Sequence, residues 1–121
     1  MARLGKKYKK GDVIFRQGDI GDCMYVVQKG EVEACAESDG KELRLRTMGP
    51  NEFFGEMALF EQEMRTEKIR ATMDTRVLTI DKKSFLGGIH EDPSLAYRIV
   101  ETMSHRIRDL TDRLAAYKDS A

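Results

Sequence analysis

The hydrophobic period of this chain changes once, near Asp81, and that switch constrains its fold more than any other feature. Ahead of it, apolar residues come in short runs broken by glycine, the pattern of strands joined by tight turns. Beyond it they recur at helical spacing. Val13-Ile14-Phe15 runs toward Gly18 and Gly21, and Cys23 to Gln28 runs into Lys29-Gly30, which links it to the next strand as a hairpin would. Val32, Ala34 and Ala36 alternate with Glu31, Glu33 and Glu37, while Leu43, Leu45 and Thr47 alternate with Glu42, Arg44 and Arg46. Asp39-Gly40 between them is a strong hairpin dipeptide. The alternation puts the apolar members on one face and lets Glu and Arg meet across strands on the other, a solvated sheet face. Ile69 to Met73 and Arg76 to Ile80, joined by Met73-Asp74-Thr75, bring the count to about eight short strands. Such a series forms a small sandwich or roll. Glu56 to Phe60 suits a single helical turn within it.

After the switch, Lys82 to Ile89 reads as a short helix ending near Gly87-Gly88. Asp92 is a good N-cap and Pro93 fits the first helical position of a long helix running to about Lys118. Val100, Met103, Ile107, Leu110, Leu114 and Tyr117 recur at alternating intervals of three and four, a heptad seam. Leu95 and Ile99 form a second stripe suited to packing the helix start on the β-body. A helix of about 25 residues spans roughly 38 Å, longer than a small barrel can cover. The seam is therefore expected to pair with a second copy of the chain.

With 121 residues the chain is one domain. The expected boundaries are a β-roll over about 8–81, a short helix over about 82–90 and a C-terminal helix over about 93–118. Twenty-one Lys and Arg balance 21 Asp and Glu, so the basic surplus of a nucleic-acid surface is missing. Apolar runs are too short for a membrane span, and no apolar stretch follows the basic start as in a secretory signal. The run Arg3, Lys6, Lys7, Lys9, Lys10 reads as a solvated, frayed end. Cys23 and Cys35 are too few for a disulfide framework and read as reduced thiols. His90 and His105 have no metal-ligand spacing, and no nucleophile–base signature is present, so neither a catalytic nor a metal site is assigned. A cupin-like enzyme, the enzymatic alternative on such a roll, sets histidines on its strands; these strands carry none.

Phe54-Gly55-Glu56-Met57-Ala58-Leu59, followed by Arg65-Thr66, resembles the phosphate-binding cassette of cyclic nucleotide-binding domains. Lys10 to Asp19, Tyr25 to Val32 and the long helix after Asp92-Pro93 share the resemblance, which covers about Tyr8 to Leu114. It implies a mainly β fold with helices: an eight-stranded antiparallel β-roll (a jelly roll), a cassette helix and a C-terminal dimerisation helix. It also implies a cytoplasmic regulatory domain, of the kind found in bacterial sensors, that binds cAMP or cGMP without catalysis or cofactor. Gly55 would let the backbone approach the phosphate, and Glu56 would accept from the ribose 2′-hydroxyl. Amides around Met57 and Ala58 would bind the phosphate, Arg65 would be its counter-ion, and Thr66 would add a hydroxyl. By the same resemblance Leu110 and Thr111 would cover the base, and Arg106 would pair with Glu56. The residue chemistry agrees: an arginine fork grips two phosphate oxygens, and a carboxylate only accepts.

Two departures stand out. Glu67-Lys68 replaces the small residues that usually follow the cassette arginine, and Glu67 is expected to share the face of Arg65 and compete with phosphate. Glu61 and Glu63 add acid to the preceding loop. The alternative to a nucleotide sensor is thus a degenerate roll acting as a dimerising adaptor. Helical residues ahead of the first strand and an output domain after the helix are missing from the 121 residues, the expected outline of an excised or stand-alone sensor whose effector is unknown.

Overall fold

The structure, a computed structural model, describes residues 4–61 and 64–120. Eight strands form among them: β1 (Lys6–Tyr8), β2 (Val13–Phe15), β3 (Cys23–Lys29), β4 (Val32–Ser38), β5 (Lys41–Met48), β6 (Phe53–Phe54), β7 (Lys68–Ala71) and β8 (Thr75–Asp81). Three helices, α1 (Met57–Phe60), α2 (Lys82–Glu91) and α3 (Ser94–Ser120), complete the order. The strands pair antiparallel in two four-stranded sheets, β1-β8-β3-β6 and β2-β7-β4-β5. The chain divides into two compact units, Met1–Lys82 and Lys83–Ala121.

In the first unit both sheets contribute to one core: Phe15, Val27, Val32, Ala34, Met48, Phe54, Ile69 and Val77 are buried together. Asp39 and Gly40 both take positive φ, 53° and 74°, the backbone of a tight hairpin turn between Ser38 and Lys41. The expected β-roll is therefore present, and four local expectations change.

The basic N-terminal run is not a frayed end over its described part. Lys6–Tyr8 pairs with β8, and Tyr8 packs against the core. Strand pairing holds it, and Gly5 just ahead of the strand lies so close to Val77 that a Cβ would stand 2.3 Å from the Val77 carbonyl oxygen. Arg3 lies outside the described residues.

Lys29-Gly30 is a corner rather than a hairpin. Strand β3 pairs with β6 and β8, whereas β4 pairs with β5 and β7, so the chain changes sheet here. Gly30 has φ +92°, and a Cβ on it would stand 2.4 Å from the Asp74 carbonyl oxygen. The Thr75 hydroxyl fills the corner: it accepts from the Glu31 amide at 3.2 Å and lies 2.7 Å from the Met73 carbonyl.

The alternation along β5 breaks at Leu45. Ala34 faces Arg46 while the next residue, Cys35, faces Arg44, so Leu45 is the extra residue of a bulge. The bulge turns Leu45 and Met48 to the core together and rotates Arg46 off the solvated face. Leu43, near the hairpin end, is 64% exposed instead of inward. On the solvated face Glu33 meets Arg44 of β5 at 3.6 Å as expected, and β7 supplies the closer partners: Arg70 Nε donates to Glu33 at 2.9 Å, Arg70 reaches Glu42 at 2.7 Å, and Lys68 pairs with Glu42. Cys35, a buried free thiol, lies close to Glu33 and Glu42; burial and then those carboxylates push its pKa up.

In the second unit α2 continues through Gly87-Gly88 to Glu91. Glycine is costly within a helix but does not forbid it, and Gly88 lets Leu95 approach: a Cβ there would meet Leu95 Cδ2 at 3.4 Å. Asp92 caps α3, accepting from the Ser94 amide at 3.1 Å and from its hydroxyl at 2.6 Å. Those bonds hold its carboxyl below the usual aspartate range. Ile99 is buried and Leu95 half-buried, whereas Val100, Ile107, Leu110, Leu114 and Tyr117 are all at least 63% exposed.

Candidate functional site

Arg65 is the chemical centre of the first unit. It is 7% exposed, an uncommon depth for a guanidinium, and the structure accounts for it with polar partners. Nη1 donates to the Gly55 carbonyl at 2.7 Å, and Nη2 donates to the Cys23 carbonyl at 2.8 Å. The Cys23 sulfur lies 3.9 Å from Nη2. The guanidinium carbon stands 4.3 Å over the Phe15 ring centre and 5.7 Å from that of Tyr25. Carbonyl dipoles and ring faces both favour a cation, so the charge is stabilised without a carboxylate partner among the described residues.

The backbone holds Arg65 equally firmly. Its amide donates to the Asp19 carbonyl at 2.6 Å, and its carbonyl accepts from the Gly18 amide at 2.8 Å. Gly21 is a glycine for a definite reason: a Cβ there would fall 2.2 Å from Arg65 Nε. Gly55 has φ +72°, the left-handed region, and a Cβ on it would stand 2.9 Å from Nη1. Its turn feeds α1, where Leu59 N donates to the Glu56 carbonyl at 3.0 Å and Glu61 N to that of Met57 at 2.9 Å.

Of the residues singled out from sequence, Gly55 and Arg65 are in direct contact. Glu56 and Ala58 are buried on the same turn, and Met57 is 59% exposed. Thr66 is exposed beside Arg65 and lines an open depression with Gln17, Gly18, Met64 and Arg65. Leu110 and Thr111 lie on α3 in the second unit; Thr111 donates its hydroxyl to the Ile107 carbonyl at 2.8 Å. Glu63 lies outside the described residues.

The expected competition from Glu67 does not form. Glu67 instead makes a two-pronged pair with Arg46, Nη1 to Oε2 at 3.0 Å and Nη2 to Oε1 at 2.8 Å. The bulge at Leu45 explains this, because Arg46 lies opposite inward-facing Ala34.

Sequence reading missed the shelf under Arg65. Phe15, Tyr25 and Phe54 cluster with ring centres 5.1–6.0 Å apart. The only sequence signal was their place on the apolar strands; which rings would meet depended on two sheets closing. Burial, with the Cys23 thiol beside it, pushes the Tyr25 phenol above the ordinary tyrosine pKa, and Tyr8 is raised by burial and then by Asp12. A raised pKa means that the folded state keeps its protons where the unfolded chain would lose them. Their contribution is complete below the unfolded value, about pH 10, and declines as pH rises beyond it. Thermal melts from pH 8 to 11 should thus show Tm falling at the alkaline end, with a shallower fall in Tyr25→Phe.

A glycine turn in left-handed conformation, a one-turn helix and a buried arginine thus come together within an antiparallel roll. Residues 5–92 match the cyclic nucleotide-binding domain family. The chain belongs to that family. It is 33% identical over 103 residues to the cyclic AMP receptor protein of Thermus thermophilus, covering 84% of this chain and 48% of that protein. It is also 38% identical over 92 residues to a cGMP-dependent protein kinase of Plasmodium berghei, covering 75% of this chain and 10% of the kinase. Among solved structures, the Thermus thermophilus catabolite activator protein superposes with a TM-score of 0.82 at 32% identity, over 96% of this chain and 54% of that one. The chain thus spans about half the length of these receptor relatives.

Proposed function

We propose that this chain is a regulatory domain that binds cAMP or cGMP, does no chemistry on its ligand, and reports binding through the placement of α3. The observation that carries the reading is Arg65, buried and fixed at the Gly55 carbonyl where the cassette turn begins. Five N–H donors make up a guanidinium; the Gly55 and Cys23 carbonyls engage part of them, and the others suit the oxygens of a cyclic phosphodiester. Amides of Met57 and Ala58 would share the anion, Glu56 would accept from the ribose hydroxyl, and Thr66 would sit at the phosphate or base. Leu110 and Thr111 would cover the base, with Arg106 steadying Glu56. The exposed apolar seam of α3 supports a homodimer, since an apolar stripe of that length is costly in water. Binding would favour one helix placement over another by its differential affinity for the two. A cytoplasmic location goes with this reading, and the effector lies outside it.

Calorimetric titration with cAMP and cGMP tests the proposal. Saturable binding of one nucleotide is expected, with cAMP slightly favoured. No heat and no thermal shift with either at millimolar concentration would instead support the adaptor reading. Light scattering with and without nucleotide tests the dimer.

A further inference from the structure

We infer that Arg46 is a positioning residue for the anion site: its pair with Glu67 draws that carboxylate away from Arg65 and keeps the site attractive to phosphate. The inference rests on the cyclic nucleotide reading above.

Glu67 follows Arg65 by two residues, and two residues of chain reach at most about 7 Å. An ionised carboxylate at that range, in a partly desolvated place, opposes the binding of an anion and attracts the arginine meant for it. Something must hold Glu67 elsewhere, and the structure supplies it. The Arg46 fork meets both carboxylate oxygens, and the two side chains are only 30% and 17% exposed. An exposed single contact would be nearly indifferent, whereas a two-pronged, half-buried one fixes the orientation of both groups.

The sheet explains how the contact is reached. Arg46 on β5 lies opposite Ala34 on β4, and Ala34 lies opposite Ile69 on β7. The middle position carries only a methyl group, so the guanidinium can cross β4 toward the residues just ahead of β7. The bulge at Leu45 aims it there. Arg46 Nε is buried without a hydrogen-bond partner among the described residues. Glu67 is also the one carboxylate with which Arg46 forms an ion pair there.

The test compares cAMP and cGMP titrations of the full chain and three variants, Arg46→Ala, Glu67→Gln and the double substitution, with a thermal melt of each without nucleotide. Arg46→Ala should bind about tenfold more weakly, as a freed carboxylate turns toward Arg65. Adding Glu67→Gln to it should restore affinity to within about threefold of the parent, because the offending charge is gone. Glu67→Gln alone should bind at least as tightly as the parent. Unchanged affinity in Arg46→Ala overturns the inference, and so does a double variant that stays as weak as Arg46→Ala. Should Arg46→Ala fail to fold, Arg46→Met keeps the aliphatic stem and replaces it in the cycle. A parent that binds neither nucleotide overturns the functional reading itself, a result visible before any variant is compared.

Discussion

Arg65→Ala is expected to weaken cyclic nucleotide binding by about 2–5 kcal/mol, the usual scale for removing one partner of a buried charged contact. At room temperature that is roughly 30-fold to several-thousand-fold in Kd. The size follows from burial: water cannot replace a guanidinium that is 7% exposed. Arg65→Lys separates charge from geometry. A lysine offers one point of charge and cannot span the Gly55 and Cys23 carbonyls as the fork does. It should recover only part of the loss. Calorimetry on parent and both variants reads the difference, and equal affinity for all three would place the phosphate elsewhere.

Gly30→Ala should cost about 2–5 kcal/mol of stability. Two effects add. A residue with a Cβ pays about 1–2 kcal/mol for the left-handed backbone, and overpacking adds about 1–3 kcal/mol. Neither can relax easily, because the atom met at 2.4 Å is the Asp74 backbone oxygen and Thr75 is itself buried. Chemical denaturation of the two proteins measures it. Gly40→Ala is the control: its φ is +74°, but a Cβ there meets nothing within 4 Å, so only the backbone contribution remains. Equal losses in the two variants would show that packing at the corner is not what Gly30 serves.

The two cases differ in how visible they were beforehand. Gly55, Glu56 and Arg65 stand in a recognisable order along the chain, and Asp39-Gly40 announces its own turn. Gly30 was legible as a turn but not as a change of sheet, because a glycine after an apolar run looks the same in both. Glu67 was legible as a hazard to Arg65, since two residues separate them, whereas its actual partner lies 21 residues back on another strand. The aromatic shelf of Phe15 and Tyr25 was hidden for a similar reason: those residues are adjacent only after both sheets have closed.

By itself the sequence determined that a strand-rich segment precedes the two longer helices, where the hairpin at Asp39-Gly40 turns, where α3 is capped, and that a cassette-like turn precedes Arg65. All of these depend on neighbours within a few residues, through backbone preference, side-chain period and capping. Only the tertiary structure decided which sheet each strand joins, that Lys6–Tyr8 is a strand, and which cation Glu67 meets. Those outcomes depend on long-range register, and a single bulged residue, Leu45, is enough to turn Arg46 off the solvated face to the side of Ala34, where it is half-buried.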